Sequence, residues 1–272
     1  MVENPFVSVI VPTKNSEATI EKCLRSIKMQ TYTNIQIIVV DNYSVDSTRE
    51  IADKFGARIY LKGPERASQV NFGVRKAKGK YVYRVDSDVI LETSVVEEAV
   101  AICEEQGYDA VCVHNTADPS LSFWTRVSKL ERDCYAGDKL NVAARFIRKD
   151  IFDAVGGFNE ELTAAEDYDL HNRLLKCGCK IGETKAKEVH LGEPKTLWEL
   201  ARKHYYYGKT IKRFLKENPE RGRKQLSPIR PAFLRNWKEF VRHPILTVGF
   251  FVYQAARYSA AGLGFFVAEV ER

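Results

Sequence analysis

Short apolar runs alternate with amphipathic segments over the first 90 residues, and this alternation restricts the fold more than any other feature. Residues 6–11 and 35–40 are nearly continuous apolar runs, which are typical of strands buried on both faces of a parallel sheet. Residues 58–61 and 81–85 complete four predicted strands, and the segments between the strands carry apolar residues at helical spacing. This β-α-β-α-β-α-β order predicts an α/β fold with an open, mostly parallel sheet flanked by helices.

Polar residues follow three of the predicted strands at the points where those strands end. They are Thr13 and Lys14, then Asp41 and Asn42, and finally Asp86 and Asp88. In open parallel sheets, ligands bind outside the carboxyl ends of the strands. Residues 1–90 are therefore predicted to form a nucleotide-binding half, within a domain predicted to cover residues 1–195.

Asp86 and Asp88 bracket one small residue in a turn after the fourth predicted strand. Converging carboxylates of this kind suit Mg²⁺ or Mn²⁺, which keep coordination positions free for substrate phosphates. Taken alone, the same pattern also fits a solvated acidic turn. The sequence contains neither G-x-G-x-x-G after the first strand nor G-x-x-x-x-G-K-[ST], which argues against a dinucleotide oxidoreductase and a P-loop NTPase. Phosphate neutralisation would then depend on a metal ion.

Residues 91–195 are predicted to be the acceptor and catalytic half, with helices at 95–106 and 122–140 and strands at 110–114 and 142–147. A further predicted helix begins with the acidic residues Glu166, Asp167 and Asp169. Acids in a first turn stabilise the positive end of a helix by about 0.3–1 kcal/mol each. The alternative interpretation is a carboxylate at the mouth of a cleft, placed to take a proton.

Six segments of this chain, in this order, resemble the family 2 inverting glycosyltransferases with the GT-A fold. The segments are residues 7–15, 39–48, 71–81, 86–88, 156–160 and 166–173. The resemblance covers about residues 6–192. It implies a hexosyltransferase that uses a UDP- or GDP-linked sugar and a divalent cation, Mn²⁺ or Mg²⁺, bound at a DXD motif.

The resemblance also implies roles for individual residues. The positions that it assigns to nucleotide binding are Pro12, Thr13, Asn15, Asp41, Arg66, Asn71 and Asp86. Arg66 is included because Val70 stands where many members have an arginine. The implied metal ligands are Asp88, Asp86 and His190, although His190 also fits a histidine at a strand end that binds nothing. Asp167 would be the general base, and Glu166 beside it completes the catalytic pair.

The last quarter of the chain differs in composition and is predicted to be a separate helical extension, residues 196–272. It carries fifteen Lys/Arg against six Asp/Glu, and residues 245–268 have only Gln254 and Arg257 as strongly polar members. A hairpin or amphipathic helix lying in a membrane interface is favoured. A helix packed on the catalytic domain or on a dimer partner comes second, and a full membrane span third because Arg257 near its middle would cost about 2.5–3.5 kcal/mol.

These observations predict a metal-dependent inverting glycosyltransferase that acts on a lipid-linked or glycan acceptor. A soluble acceptor with a dimerising tail, a sugar-phosphate nucleotidyltransferase and a non-catalytic sugar-nucleotide binding module are the alternatives. Six cysteines without a C-x-x-C pair and an N-terminus without a signal-peptide pattern favour a cytoplasmic, peripherally membrane-associated protein. No nucleic-acid-binding motif accompanies the basic segment, so nucleic acid is not expected as a partner.

Overall fold

The computed structural model describes residues 4–270. The first residue of the predicted domain, residue 1, and the last residue of the predicted extension, residue 272, lie outside this range. Its centre is an eight-stranded mixed sheet in the order β3-β2-β1-β4-β7-β6-β8-β5. The strands are β1 Val7–Thr13, β2 Ile35–Asp41, β3 Arg58–Leu61, β4 Tyr81–Arg84, β5 Val89–Leu91, β6 Ala110–Ala117, β7 Ala144–Arg148 and β8 Ile181–His190. The α/β class and the four parallel strands β1 to β4 are as predicted.

Helices cover both faces of this sheet and form the C-terminal extension. Their bounds are α1 Ile20–Lys28, α2 Thr48–Lys54, α3 Arg66–Lys76, α4 Val95–Gln106, α5 Phe123–Asp133, α6 Lys149–Ala154, α7 Glu166–Lys176, α8 Leu197–Glu217, α9 Arg221–Gln225, α10 Pro231–Arg235, α11 Trp237–Arg242 and α12 Pro244–Val270. One apolar cluster packs α1 and α4 on one face of the sheet, and a second packs α3 and α7 on the other.

The second half of the sheet departs from a simple parallel arrangement. Strand β7 pairs antiparallel with both β4 and β6, and the short strand β5 pairs antiparallel with β8. The prediction of one helix over residues 122–140 is wrong, because α5 ends at Asp133. The chain then turns at Gly137, whose φ of +69° favours glycine, and the Asp138 carboxylate accepts hydrogen bonds from the amides of Leu140 and Asn141.

The C-terminal extension packs directly on the domain. Of the forms predicted for residues 245–268, the hairpin is wrong, since α12 is one continuous helix, and this helix packs on the domain against α8 and α5. A side chain at Gly208 would come within 2.2 Å of the Ala261 carbonyl oxygen, and one at Gly264 within 2.0 Å of the Tyr205 carbonyl oxygen, so both glycines permit this close approach. Within residues 4–270, no helix is long and apolar enough to cross a membrane.

Candidate active site

The loops that follow β1, β2 and β4 meet at one edge of the sheet. The Thr13 hydroxyl donates to Asp41 Oδ1 at 2.9 Å, which joins the ends of β1 and β2. The hydroxyls of Ser16 and Ser87 lie 2.9 Å apart, which joins the loop after β1 to the Asp86–Asp88 turn. These loops lie together because β1 pairs in parallel with both β2 and β4, which places the carboxyl ends of the three strands at the same edge of the sheet.

Asp41 and Asn15 shape this edge through contacts within the protein. Asp41 is fully buried and accepts hydrogen bonds from the Ser44 amide and hydroxyl in addition to that from Thr13. Asn15 has a positive φ of 46°, and its side-chain oxygen accepts from the Val45 amide at 3.0 Å. Pro12 is buried beside them and Asn15 is exposed. Of these predicted nucleotide contacts, Asn15 is therefore the one that faces solvent, while Asp41 fixes the loop after β2.

Three arginines surround Asp86. Arg84 donates to both carboxylate oxygens at 3.1 Å, Arg145 Nη1 lies 3.3 Å from Oδ2, and Arg66 Nη1 lies 3.8 Å from the same oxygen. Burial alone would raise the pKa of Asp86, but the guanidinium groups of Arg84, Arg66 and Arg145 hold the pKa well below its usual range. Because these cations occupy both oxygens, the geometry does not favour the predicted role of Asp86 as a metal ligand.

Asp88 turns the other way, toward the end of β8. Its Oδ1 lies 3.5 Å from His190 Nε2, and His190 Nδ1 lies 3.2 Å from Glu193 Oε1. Gly192 is required here because a side chain at that position would meet Asp88 Oδ2 at 1.8 Å. Among residues 4–270, no group of three or more His, Cys, Asp or Glu side chains is arranged to hold a metal ion. A carboxylate and an imidazole still fit a Mn²⁺ or Mg²⁺ ion that takes its other ligands from phosphates and water.

The two acids at the start of α7 have different surroundings. Glu166 is buried, and its Oε1 accepts from Arg66 Nε at 3.0 Å and from Arg84 Nη1 at 3.4 Å. The Asp167 carboxylate accepts one hydrogen bond from a described residue, the amide of Tyr168 at 2.8 Å, and it lines a cavity. Asp167 is therefore the acid of this pair that faces the cavity without an arginine partner among the described residues, whereas Glu166 holds Arg66 and Arg84.

Asn71 and Arg66, two further residues predicted to bind the nucleotide, have different surroundings. The Asn71 side chain is buried and bonds to the Phe158 amide at 2.8 Å, the Phe158 carbonyl at 2.9 Å and Glu160 at 2.9 Å. It holds α3 against the loop after α6, away from the strand ends. Arg66 faces the cavity; burial would lower its pKa, but Glu166 and then Asp86 raise it well above the usual value.

Sequence reasoning missed the residues that orient this cluster. Arg145 Nη1 also lies 3.2 Å from Glu188 Oε2, and Glu188 is fully buried, where it accepts from Tyr83 at 2.6 Å and Asn115 at 2.8 Å. The sequence offered one signal for these residues, which is a charged residue inside an otherwise apolar strand, such as Arg84 in β4. Such a residue indicates a buried ion pair, because charged side chains are rarely buried without a partner.

A cavity of about 600 Å³ opens from this cluster toward the C-terminal helices. Asp86, Asp167 and His190 line its end at the sheet, and Lys203, Arg230 and Tyr258 line the part beneath α8 and α12. Its walls therefore come from both the α/β domain and the extension.

A family model described as Glycosyl transferase family 2 matches residues 8–159 of this chain. Glycosyltransferase AglE of Haloferax volcanii is 29% identical over 228 residues, which are 75% of this chain and 72% of AglE.

Solved structures show the same fold. A mannosyltransferase from Pyrobaculum calidifontis in complex with GDP-Man and Mn²⁺ superposes with a TM-score of 0.69 at 17% identity, over 96% of this chain and 87% of that one. Residues 1–349 of S. aureus TarS in complex with UDP-GlcNAc superpose with a TM-score of 0.55 at 19% identity, over 98% of this chain and 91% of that one. Of a longer TarS chain, this chain spans 55%. At these identities the likeness concerns the fold.

Proposed function

The chain belongs to glycosyl transferase family 2 and is a glycosyltransferase, and from this premise we propose that it moves a sugar from a nucleoside-diphosphate donor to a hydroxyl of a lipid-linked or glycan acceptor, with inversion, at a membrane surface. The observation that carries the proposal is the position of Asp167. This carboxylate shares one cavity with Asp86 and His190 at the ends of the strands, where ligands of such sheets bind. The proposed base and the proposed donor site would thereby share one cavity.

The donor side of the proposal uses the strand ends and a divalent cation. Asp88 and His190 would hold Mn²⁺ or Mg²⁺, and the ion would neutralise charge on the diphosphate. Support comes from the mannosyltransferase that superposes on this chain and was solved with GDP-Man and Mn²⁺. Asn15 and the rest of the loop after β1 would lie along the nucleoside, and Arg66 would face the diphosphate from α3.

The chemical step is a single displacement. The acceptor hydroxyl oxygen forms a bond to the anomeric carbon while the bond from that carbon to the diphosphate oxygen breaks. The electron pair leaves with the diphosphate, and the hydroxyl proton passes to Asp167. Since attack comes from the face opposite the leaving group, the configuration at the anomeric carbon inverts.

The proposed membrane contact rests on the outer face of α12. One side of this helix, about 40 Å long at 1.5 Å per residue, exposes no charged residue along its length. The exposed stripe consists of Ile245, Val248, Val252, Ala255, Ser259, Leu263, Phe266 and Val270. At its N-terminal end lie exposed Trp237 and the basic residues Arg235, Lys238 and Arg242. Apolar and aromatic residues beside cations complement an anionic lipid surface.

The donor proposal is tested by thermal melting and by transfer. UDP or GDP should raise the melting temperature in the presence of Mn²⁺ or Mg²⁺, because a ligand at one hundred times its Kd adds about 2.7 kcal/mol. Asp167→Asn should keep this rise and lose transfer by about 10²–10⁴-fold. Asp53→Asn, which removes an exposed carboxylate on α2, serves as the matched control. The proposal fails if neither nucleotide shifts the melting curve, or if Asp167→Asn transfers sugar at the wild-type rate.

The membrane proposal is tested by co-sedimentation of the full chain with phosphatidylglycerol vesicles. Binding should fall at least tenfold in a Leu263→Glu, Phe266→Glu variant, since two exposed apolar side chains of the stripe would be replaced by charges of the lipid's sign. An unchanged sedimented fraction would reject the lipid surface. A concentration-dependent doubling of mass without vesicle binding would assign the stripe to a second copy of the chain instead.

A further inference from the structure

The part of the cavity that lies against α8, α12 and the segment before α10 has its own set of side chains. Lys203 and Tyr207 reach it from α8, Tyr258 from α12, and Arg230 from the segment before α10. These four residues define the inner pocket. The inner pocket belongs to the same cavity as Asp167, so a molecule bound there would share that cavity with the proposed base.

The charges that line the whole cavity are not balanced. Seven Lys or Arg residues face five Asp or Glu residues. Arg66, Arg84 and Arg145 pair with Asp86 or Glu166, Arg132 pairs with Glu193, and Arg257 pairs with Glu131. In the described chain, this leaves two lining cations, Arg230 and Lys203, that form no ion pair within 4 Å, although the charges of Glu131 and Glu193 act on them from farther away. Both belong to the inner pocket.

Arg230 is 8% exposed, and the groups that hold its side chain in place are neutral. Its Nη1 donates to the Tyr135 hydroxyl at 2.5 Å, its Nε donates to the Ser227 carbonyl at 3.1 Å, and the guanidinium lies 5.2 Å from the centre of the Tyr135 ring. Its Nη2 donates to none of the residues from 4 to 270. A buried charge without a counter-ion in direct contact is costly, so a bound anion that contacts Arg230 would reduce that penalty.

Lys203 and the phenols add further donors. The Lys203 ammonium lies 5.9 Å from the centre of the Tyr207 ring, and Tyr258 lines the same space with a hydroxyl that bonds to no described residue. Burial, then Arg257 and Lys203, lower the pKa of His204 to about 3, so this neighbouring imidazole is neutral at pH 7. The lining of the inner pocket therefore includes a guanidinium fork, an ammonium and a phenol.

We propose that the inner pocket is an acceptor subsite for a phosphate group, bound by Arg230 and Lys203; this rests on the proposed function, because it specifies the acceptor for that same site. A phosphate monoester carries about −1.5 to −2 charges at pH 7, which matches two unpaired cations, whereas a carboxylate carries one. Arginine binds phosphate oxygens through two parallel N–H groups. The acceptor hydroxyl that meets Asp167 would then belong to a molecule anchored by its phosphate.

The first test is thermal melting of the full chain with inorganic phosphate, at constant ionic strength and with EDTA present so that no metal ion offers a second phosphate site. Phosphate should stabilise the wild-type protein. In Arg230→Gln and in Lys203→Gln, the phosphate concentration that gives the same shift should rise about tenfold or more, because a hydrogen bond to a charged group is lost. Arg223→Gln removes an exposed arginine of α9 and is the matched control.

The second test separates soluble from lipid-borne phosphate. Phosphatidylcholine vesicles with polyisoprenyl phosphate are compared with vesicles in which phosphatidylglycerol supplies the same charge. A preference for polyisoprenyl phosphate that Arg230→Gln abolishes assigns a lipid acceptor, and a phosphate shift without this preference assigns a soluble one. The inference is overturned if phosphate does not stabilise the wild type, or if both variants respond as the wild type does. Nucleotide melting shifts report on the donor site separately, so a wild type that responds to nucleotide but not to phosphate loses only this inference.

Discussion

Replacing Arg257 with Met tests which contact holds α12, the helix that covers the cavity, on the domain. Arg257 Nη1 donates to Glu131 Oε1 at 2.6 Å, and Glu131 also accepts from the Tyr135 hydroxyl at 2.8 Å. The second oxygen of Glu131 is buried without a partner among the described residues. Without Arg257, a buried carboxylate would keep one phenol as its donor.

The expected loss follows from this burial. Removing one partner of a buried ion pair costs about 3–5 kcal/mol, because the remaining charge stays in a medium of low polarity. For a chain of this length, about 2–4 °C of melting temperature corresponds to each kcal/mol, so a fall of roughly 6–20 °C is expected. The pKa of Glu131, which burial would raise and Arg257 lowers, should rise in the variant.

The measurement is a double-mutant cycle by thermal and urea unfolding. The Glu131→Leu, Arg257→Met double variant should recover most of the loss, since apolar replacement of a whole buried pair is often neutral. The interaction energy from the cycle should be about 2 kcal/mol or more, near the upper part of the range for contacting residues. A single Arg257→Met variant that melts within 2 °C of the wild type would refute the assignment of this pair as the link between α12 and α5.

Three further predictions concern the site itself. Because the pKa of Asp86 is depressed in the folded chain, its stabilising contribution is complete above its unfolded pKa of about 3.9 and is lost as pH falls below that value. The stability difference between wild type and Asp86→Asn, measured by urea unfolding, should therefore shrink from pH 6 to pH 3, and a constant difference would contradict the arginine cluster. Chelation by EDTA should abolish transfer, and His190→Gln should raise the Mn²⁺ concentration needed for half-maximal activity at least tenfold; equal Mn²⁺ curves would exclude His190 as a ligand. Ala165→Gly should raise the stability of the fold by about 1 kcal/mol, because Ala165 has a φ of +60°, and an unchanged unfolding midpoint would show that the site stores no strain there.

The parts of the fold that could be predicted are those written in local patterns. The strands at β1 and β2 follow from continuous apolar runs, and the helix α4 follows from apolar spacing between residues 95 and 106. The antiparallel insertion of β7 between β4 and β6 could not be predicted in this way, because strand pairing depends on side chains distant in sequence. The three-residue strand β5 is too short to show a period at all.

In the candidate site, too, the residues in local motifs could be predicted, whereas their contacts with distant residues could not. Asp88, His190 and Asp167 were predicted from motifs, and all three lie around one edge of the sheet. Their roles remain predictions. Their surroundings were not accessible, since the arginines that engage Asp86 come from three separate elements: α3, β4 and β7. The spacing of two aspartates predicted that they would act together. Charge pairing separates them instead, with Asp86 tied to cations and Asp88 directed to His190.

The C-terminal extension shows why an apolar segment can be misjudged from composition alone. Arg257 and the glycines of α12 count against a stable helix in a membrane, and the same residues favour a helix packed on protein. Arg257 finds its counter-ion in Glu131, and Gly264 allows the backbone of α8 to come close. One face of α12 thus covers the cavity that contains Asp167, while the opposite face remains apolar and exposed. Under both proposals, a single helix would couple attachment to a lipid surface with access of an acceptor to the base.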